Sequence, residues 1–357
     1  MESVTSIAVR VASGSYDAIV GSGLLDAIGS TIAKAIHSRR CAIVSDENVA
    51  RLFAERVLES LRREKFETSL ITVPAGEKSK SLEQVEAVCE QMVQAGLDRQ
   101  SFVVALGGGV VGDLAGFVAS IFHRGIPYVQ VPTTLLAQVD SSIGGKTAVN
   151  MASGKNLIGA IHHPVLVISD VDALKTLPPR EFNQGVAEII KHAIIRDPAL
   201  LDSLEKLDRD NLAPLVSRNI EIKAEFVARD ERDTSGHRAL LNFGHTIGHA
   251  IEAAGGYGEL LHGEAVSLGI VAACDISIKK AGLPEQERQR IMSILDRFEL
   301  PTRLPKSISR EKTAAAVQHD KKFDGGQVRF VVTSRIGSAR ISNDVTMEDI
   351  RSAIENL

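Results

Sequence analysis

Short apolar runs alternate with stretches of helical periodicity along the first half of the chain. The apolar runs predict buried strands and stand at 41–45, 69–73, 102–106, 128–131 and 165–168. The stretches between them, such as 81–94, repeat apolar residues every three or four positions, which predicts helices. An additional hairpin is predicted at the N-terminus, over 4–11 and 16–20. Strand–helix alternation of this kind predicts a mostly parallel sheet covered by helices.

After residue 172 the pattern changes to helical periodicity. The predicted helices lie near 180–196, 209–229, 240–254, 263–281 and 284–298. A small hairpin over 328–332 and 338–341 and a last helix follow. We therefore predict an α/β N-terminal domain over 1–172 and a mainly helical C-terminal domain over 173–357. A ligand is expected in the cleft between them.

Composition and charge narrow the class of protein. The chain has 357 residues, is 44% hydrophobic and 24% charged, and has a net charge of −4. This charge balance argues against a nucleic-acid or membrane-surface partner, and no apolar run is long enough to span a bilayer. The three cysteines are scattered and form no CxxC pair, and no signal peptide precedes the first strand. A reduced, cytoplasmic protein is predicted.

A glycine-rich turn points to a dinucleotide. Gly107-x-Gly109-x-x-Gly112 directly follows a predicted strand and opens a helix, where backbone N–H groups can approach a pyrophosphate. The motif follows a middle strand and lacks an acidic residue about 20 positions later, so it is not an ordinary Rossmann site. Asp46 is the better candidate for a ribose hydroxyl, and Asp113 is placed to contact the nicotinamide end. Glycine-rich turns of this kind also serve packing alone.

A second polar stretch follows the next predicted strand. Thr133 and Thr134 lead into Asp140-Ser-Ser-Ile-Gly-Gly-Lys146, and Lys155 and Asn156 come shortly after. Hydroxyl, glycine and lysine groups on a strand-following loop suit phosphate binding. A solvated loop explains the same composition equally well.

Histidines and a carboxylate cluster in one apolar region. His245 and His249 are four residues apart, so they share a helix face, and His262-Gly-Glu264 follows. Charged and titratable groups are costly to bury unless they are paired or bind a metal. Three histidines with one carboxylate favour a metal site over histidines bonded only to backbone carbonyls.

An apolar helix over 182–195 offers a further carboxylate. Glu188 is flanked by apolar residues, and Lys191 could pair with it one turn later. Glu188 with His245 and His262 would make a His₂Glu metal site with room for substrate. His192 or His249 could replace a histidine of this set, and spacing alone does not decide between them.

Six segments in order resemble those of 3-dehydroquinate synthases, and the resemblance covers nearly the whole chain. The segments are Gly107-Gly-Gly-Val-Val-Gly-Asp113, Pro132 to Thr147, Ala187-Glu-Ile-Ile-Lys-His192, Leu241-Asn-Phe-Gly-His245, His262-Gly-Glu264 and His319-Asp-Lys-Lys322. The resemblance implies a homodimeric, cytoplasmic enzyme of the shikimate pathway to aromatic amino acids. It also implies NAD and one divalent metal, zinc or cobalt, as cofactors.

The resemblance also implies the reaction. The substrate is 3-deoxy-D-arabino-heptulosonate 7-phosphate and the products are 3-dehydroquinate and phosphate. NAD transiently oxidises the substrate at C4, phosphate leaves by β-elimination, and the same hydride returns. Ring opening and an intramolecular aldol reaction then close the carbocycle.

The matching positions imply a role for each site residue. The metal ligands are Glu188, His245 and His262. The NAD site comprises Asp46, Asn48, Glu77, Lys80, Gly109, Val110, Asp113, Thr133, Thr134, Lys146, Lys155 and Thr176. The catalytic and substrate-binding residues are Arg124, Asp140, Lys146, Lys155, Asn156, Lys191, Lys223, Arg238, Asn242, His249 and one of Lys321 or Lys322. The segment before Arg238 is one residue longer than the family pattern, so Asp233 is not assigned.

Three rival functions remain. A paralogous sugar-phosphate cyclase would act on a sedoheptulose or glucose phosphate with the same cofactors, but Arg238 and Asn242 suit a substrate carboxylate. A metal-dependent polyol dehydrogenase would release NADH. An inactive homologue with a binding role would have lost ligands, whereas Glu188, His245 and His262 are all present.

Overall fold

The computed structural model describes residues 4–256, 258–318, 323–324 and 327–357. The strands are β1 (Thr5–Val11), β2 (Gly14–Gly21), β3 (Arg40–Asp46), β4 (Glu67–Val73), β5 (Phe102–Gly107), β6 (Tyr128–Pro132), β7 (Lys146–Met151), β8 (Gly154–Ile161), β9 (Leu166–Asp170), β10 (Phe323–Asp324), β11 (Gln327–Val328), β12 (Phe330–Thr333) and β13 (Ala339–Ser342). The α-helices are α1 (Ile28–Ala35), α2 (Glu47–Val49), α3 (Glu55–Arg63), α4 (Leu82–Gln94), α5 (Gly109–Ile121), α6 (Pro179–Ile195), α7 (Ala199–Glu205), α8 (Ala213–Arg229), α9 (His245–Ala254), α10 (His262–Ala281), α11 (Glu285–Arg297), α12 (Arg310–Gln318) and α13 (Met347–Asn356).

The chain divides into two compact units. The first comprises Met1–Leu177 and Arg209–Arg232, and the second comprises Pro178–Asp208 and Asp233–Leu357. The two predicted domains were continuous stretches, whereas the chain returns to the first unit through α8. This helix packs against β1 and β2, and its apolar residues Leu215, Val216 and Ile220 are buried.

The first unit is built on a seven-stranded sheet in the order β1-β2-β9-β6-β5-β3-β4. Among these strands, β1 and β2 pair antiparallel and the other described pairs are parallel, so the predicted mostly parallel sheet is confirmed. The inner strand β5 is buried along its whole length. Val104 faces a cluster that includes Ile28 and Leu61, and Val103 faces another that includes Met92. Helices therefore cover both faces, as apolar runs in parallel strands predict.

The carboxyl edge of this sheet has an opening between β6 and β9. These strands pair only at Val129 with Leu166 and at Gln130 with Val167. Beyond that point the buried Gln138 amide bridges them, because its Nε2 donates to Pro132 O (3.1 Å) and to Asp170 O (2.8 Å). The polar residues that follow β3, β5 and β6 gather at this edge, where ligands of parallel sheets commonly bind.

Lys146 was predicted to lie on the loop that follows β6, but it begins a strand instead. Residues 146–151 and 154–161 form the antiparallel hairpin β7–β8, which contains an irregularity between Val149 and Met151. Residues with apolar side chains lie exposed on β8, so the hydrophobic alternation of a half-buried strand is weak in the sequence.

The second unit is mainly helical, as the pattern predicts, with the expected late hairpin formed by β12 and β13. Its helices approach each other closely at glycines. A Cβ atom on Gly269 of α10 would lie 1.9 Å from the carbonyl oxygen of Gly244, and one on Gly263 would lie 2.0 Å from that of Gln184 in α6. Gly244 also has a φ of 77°, which favours glycine. These contacts bring the first residues of α9 and α10 close to α6.

The helices and the cysteines bear on two predictions made from the sequence, the absence of a membrane span and the reduced state of the thiols. Across the described residues, none of the helices combines the length and apolar character that a bilayer span requires. All three cysteines are free thiols, and burial raises the pKa of Cys41 and Cys274 to about 12. Cys89 is half-buried.

Candidate active site and metal centre

A buried carboxylate lies at the centre of the second unit. Glu188 of α6 has no exposed side-chain surface, and the nearly buried Lys191 ammonium lies against its Oε2. The i,i+3 spacing on the helix makes this contact possible. Burial opposes ionisation of Glu188, but the charges of Lys191 and His245 hold its pKa well below the usual range. The carboxylate is therefore charged at neutral pH.

Two imidazoles face the other oxygen of Glu188. His245 begins α9 and its Nε2 lies 3.4 Å from Glu188 Oε1; His262 begins α10 and its Nε2 lies 3.5 Å from the same oxygen. Both distances exceed an ordinary N–H···O bond, and this oxygen has no hydrogen-bond partner among the described residues. Tetrahedral Zn²⁺ with ligand bonds near 2.05 Å would separate its ligand atoms by about 3.3 Å. The three side chains therefore fit one small divalent cation.

The other ring nitrogen of each imidazole, Nδ1, also contacts an oxygen atom. His245 Nδ1 lies 3.2 Å from the carbonyl oxygen of Phe243, and His262 Nδ1 lies 3.2 Å from Glu252 Oε2. A proton on each Nδ1 satisfies these oxygens and leaves both Nε2 lone pairs directed at the gap beside Glu188. The tautomers that the contacts favour are those that a metal requires.

The electrostatics of the two histidines differ. Burial lowers the pKa of His245, although the carboxylate of Glu188 opposes this effect. Burial also lowers the pKa of His262, but the neighbouring carboxylates of Glu188 and Glu252 outweigh this effect and raise the pKa to about 10. Without a cation, a protonated His262 lies between the carboxylates of Glu188 and Glu252, and Lys191 pairs with Glu188 as well.

The structure places the two other candidates, His249 and Glu264, differently. His249 is exposed, and its ring centroid lies 5.3 Å from that of His245 and 6.0 Å from that of His262. His249, Glu252 and His262 also bring one ligand atom each within 4.8 Å of one another. Glu264 is directed elsewhere: it accepts from Leu261 N (2.8 Å) as the cap of α10.

Glu264 also forms an ion pair with a second partner, Arg180. The guanidinium of Arg180 contacts both of its carboxylate oxygens, at 2.6 and 2.7 Å. A carboxylate at the third position also suits the N-terminus of a helix. The His-Gly-Glu segment thus supplies one candidate ligand and one helix cap.

In the first unit, the glycine turn has the geometry of an anion site. Helix α5 begins at Gly109 directly after β5, and it is 13 residues long. A Cβ atom on Gly108 would lie 3.0 Å from Thr134 Cγ2, and one on Gly109 would lie 3.1 Å from Ser141 Oγ. The two glycines thus allow Thr134 and Ser141 to lie close to the start of α5, and a helix N-terminus after a glycine turn suits a bound pyrophosphate.

The tip of β3 lies beside a concave surface. Asp46 Oδ1 caps α2 by accepting from the backbone N–H groups of Asn48 (2.9 Å) and Val49 (3.0 Å). A cavity of about 510 Å³ is lined by residues that include Glu47 and Thr72. Asp46 is thus held at the carboxyl end of β3 by its contacts with the start of α2.

A buried lysine connects two groups of predicted site residues. Lys80 is 5% exposed, and its Nζ donates to Asp113 Oδ2 (2.7 Å) and to Asn156 Oδ1 (2.5 Å). Burial raises the pKa of Asp113, while the charge of Lys80 opposes that rise. The structure thus brings together two residues predicted for NAD and one predicted for substrate.

Asn150 completes this network and was missed by sequence reasoning. Its Nδ2 donates to Glu77 Oε1 (2.8 Å), its Oδ1 accepts from Asn156 N (2.9 Å), and its own N–H donates to Lys80 O (2.8 Å). Asn156 has a φ of 57°, a conformation that asparagine tolerates better than most residues. Only the register of the hairpin reveals this role, because Asn150 carries no distinctive local motif.

We expect Asn150→Ala to lower both NAD affinity and kcat, each by up to about 30-fold, since two hydrogen bonds of about 1 kcal/mol each are lost. Asn150→Asp is the matched variant: it keeps the acceptor for Asn156 but places a like charge against Glu77. Titration with NAD and steady-state kinetics check both. Unchanged values for both variants would show that the network is only structural.

A second ion pair joins α8 to the turn after β6. Lys223 is 6% exposed, and its Nζ lies 2.9 Å from Asp140 Oδ1 and also contacts Asp140 O. Both were predicted to surround substrate. The return of α8 to the first unit is what brings Lys223 here.

The other predicted site residues differ in exposure. Arg124 is exposed and has a φ of 72°, next to His123 with a φ of 49°, so this turn is strained. The buried members are Thr133 and Arg238; the half-buried members are Val110, Thr134, Lys155 and Asn242; the exposed members are Asn48, Lys146 and Thr176. Lys321 and Lys322, with the rest of their motif, lie outside the described residues.

Comparisons with known proteins agree with one another. The family models described as 3-dehydroquinate synthase N-terminal and C-terminal match residues 70–184 and 185–323. A 3-dehydroquinate synthase of Methylacidiphilum infernorum is 44% identical over 97% of this chain and 96% of its own length. That of Symbiobacterium thermophilum is 46% identical over 96% of this chain and 98% of its own.

Solved structures show the same architecture. A 2-deoxy-scyllo-inosose synthase complexed with carbaglucose-6-phosphate, NAD⁺ and Co²⁺ has a TM-score of 0.90 at 26% identity, covering 99% of this chain and 100% of the other. A 2-epi-5-epi-valiolone synthase of Streptomyces hygroscopicus with NAD⁺ and Zn²⁺ has a TM-score of 0.87 at 32% identity, covering 96% of each chain. A butanol dehydrogenase of Thermotoga maritima, with a TM-score of 0.68 at 16% identity over 99% of this chain and 98% of its own, shares the fold alone.

Proposed function

The chain belongs to the 3-dehydroquinate synthase family, and from this we propose that it converts 3-deoxy-D-arabino-heptulosonate 7-phosphate to 3-dehydroquinate and phosphate. The observation that carries the proposal is the approach of His245 and His262 to one oxygen of the buried Glu188. The enzyme uses NAD and one divalent cation. When bound, the cation polarises substrate oxygens as a Lewis acid, and NAD accepts and returns a hydride.

The residues of the second unit would have different roles at the cation. Glu188 Oε1, His245 Nε2 and His262 Nε2 would hold it, while Lys191 neutralises the other carboxylate oxygen. Three protein ligands leave a coordination position for substrate. His249 is exposed beside this set, where it can exchange a proton with substrate.

The residues of the first unit bind the cofactor and orient substrate. The glycine turn would hold the pyrophosphate of NAD, and Asp46 a ribose hydroxyl. The further NAD contacts that we propose are Asn48, Glu77, Lys80, Gly109, Val110, Asp113, Thr133, Thr134, Lys146, Lys155 and Thr176. Lys80 holds Asp113 and Asn156 in fixed positions, so hydride acceptor and substrate can be held in one geometry.

The anionic groups of the substrate need cations, and the chain supplies them. We propose that Arg124, Lys146, Lys155, Lys191, Lys223 and Arg238 bind the phosphate and carboxylate, with Asp140, Asn156 and Asn242 completing the site. The guanidinium of an arginine such as Arg238 suits a bidentate contact with a carboxylate.

The second candidate is a paralogous cyclase that acts on a sedoheptulose phosphate. The observation in its favour is the close structural likeness to cyclases of other names. Relatives named 3-dehydroquinate synthase are nevertheless 43–46% identical over nearly the full chain, well above the 26% and 32% of those cyclases.

The two candidates are separated by substrate preference. Phosphate release is measured with NAD and zinc from 3-deoxy-D-arabino-heptulosonate 7-phosphate and, separately, from sedoheptulose 7-phosphate. We expect kcat/KM to be at least about 1000-fold higher for the substrate that carries the carboxylate, because sedoheptulose 7-phosphate lacks the group that the buried Arg238 is proposed to bind. The reverse preference would assign the protein to the paralogous cyclases.

We also propose that the enzyme is a cytoplasmic homodimer whose contact includes the β7–β8 hairpin. Met151, Leu157 and Ile161 of this hairpin are exposed, as is Val165 shortly after it. Several exposed apolar residues on one hairpin suit a self-complementary contact with a second copy. Light scattering after gel filtration should give twice the 38.3 kDa mass of the chain, and Leu157→Lys should lower it. A monomeric unsubstituted protein would contradict this.

A further inference from the structure

We propose that Glu252 is a positioning residue for the cation: it orients His262 through Nδ1 and thereby sets metal affinity. The inference rests on the ligand set proposed above, Glu188, His245 and His262. Glu252 lies three residues after His249 and seven after His245, so all three share one face of α9. Its carboxylate is 6% exposed, which is costly unless it has a specific partner.

The two histidine ligands are oriented in different ways. His245 has a side chain that is 10% exposed, and a backbone carbonyl, that of Phe243, receives its Nδ1 proton. His262 has a side chain that is 32% exposed, so surrounding atoms restrict its ring less. The contact from Nδ1 to Glu252 Oε2, at 3.2 Å, is what selects its ring orientation. Loss of Glu252 would therefore affect one ligand and not the other.

The same contact argues against Glu252 as a direct ligand. Glu252, His249 and His262 also lie close enough to bind a cation together. A neutral imidazole, however, has one acceptor nitrogen, and Glu252 faces the nitrogen of His262 that points away from Glu188. If His262 binds the cation through Nε2, its Nδ1 carries a proton and Glu252 accepts it. Carboxylates in this outer position commonly change metal affinity by 10- to 100-fold.

The test uses metal-free protein prepared with a chelator and zinc titration against a chromophoric competitor. We expect Glu252→Ala to weaken zinc binding by about 10- to 100-fold while one zinc still binds per chain. Glu252→Gln should lose less, because its side-chain carbonyl still accepts from Nδ1. The visible spectrum of bound Co²⁺ should change in Glu252→Ala, since one ligand is free to rotate. NAD affinity should remain unchanged in both variants.

Two reference variants make the outcome specific. Glu264→Gln alters a carboxylate that caps the same helix as His262 but contacts no ligand imidazole, so its zinc affinity should stay within about twofold. His262→Ala removes a proposed ligand and should lose the metal. If Glu264→Gln weakens zinc binding as much as Glu252→Gln does, the loss results from a general change in α10. The positioning role of Glu252 would then be excluded.

The remaining outcomes separate this inference from the proposed function. Zinc affinity and Co²⁺ spectrum unchanged in Glu252→Ala, with the metal lost in His262→Ala, would overturn the role of Glu252 alone. Full metal retention in His262→Ala would overturn the ligand set and this inference with it. Complete loss of metal in Glu252→Gln, with NAD binding retained, would identify Glu252 as a ligand and contradict a positioning role. The Gln variant is nearly isosteric, so it decides the question even if the Ala variant does not fold.

Discussion

His262→Ala is expected to purify without its divalent metal and to lose activity by about three orders of magnitude. Metal polarisation of a reacting oxygen contributes several kcal/mol, and each 1.36 kcal/mol changes a rate tenfold. His262 is the best ligand to remove in this experiment. Its side chain is partly exposed, and its removal leaves the buried Lys191 paired with Glu188. Glu188, by contrast, balances the buried Lys191, so its removal would also destabilise the fold.

The control for this variant is NAD binding. The proposed NAD site lies among residues of the first unit, whereas His262 belongs to the second. Elemental analysis and NAD titration on the same preparation therefore report separate events. A variant that retains both metal and turnover would show that another group, such as His249, is the ligand.

Lys80→Met is expected to have the second large effect, a loss of about 3–5 kcal/mol of unfolding free energy together with weakened NAD binding. Its ammonium is 5% exposed and pairs with Asp113, whose side chain is 19% exposed. Removing one partner of a buried pair leaves the other charge without compensation. Chemical denaturation measures the first effect, and NAD titration measures the second.

The double variant Lys80→Met with Asp113→Asn separates stability from binding. Replacing both charges removes the unpaired carboxylate, so much of the stability should return while NAD binding stays weak. Equal stability of the single and double variants would show that the two side chains are not coupled.

The pH dependence of Lys80→Met should have a definite sign. Burial raises the pKa of Asp113, and loss of the ammonium raises it further. A carboxyl whose pKa is higher in the folded state adds stability below its unfolded pKa, near 3.9. That contribution is lost as pH rises through the folded pKa. The variant should therefore lose stability relative to the unsubstituted protein as pH rises above about 4.

The sequence predicted those features that depend on local pattern. Apolar runs identified β5 and its neighbours because parallel strands are buried on both faces. Helical periodicity located α9 and α10 within a few residues. The His₂Glu hypothesis included the right three side chains for a close cluster, but His192 and His249 remained equally possible from spacing. The choice required the distances between helices.

Features that depend on distant contacts were not predictable. Lys80 meets Asp113 and Asn156, which are 33 and 76 residues away along the chain. The β7–β8 hairpin was missed because its apolar residues face outward, and with it the role of Asn150. The return of α8 to the first unit follows from packing of its apolar face, which no local pattern assigns to a particular partner.

The most direct test of the central claim is product identification by NMR. The protein is incubated with 3-deoxy-D-arabino-heptulosonate 7-phosphate, zinc and a catalytic amount of NAD, while absorbance at the NADH band is followed in the same sample. We expect 3-dehydroquinate and phosphate in equal amounts, many turnovers per NAD, and no accumulation of NADH. Accumulating NADH with an oxidised acyclic product, or no carbocycle at all, would contradict the assignment.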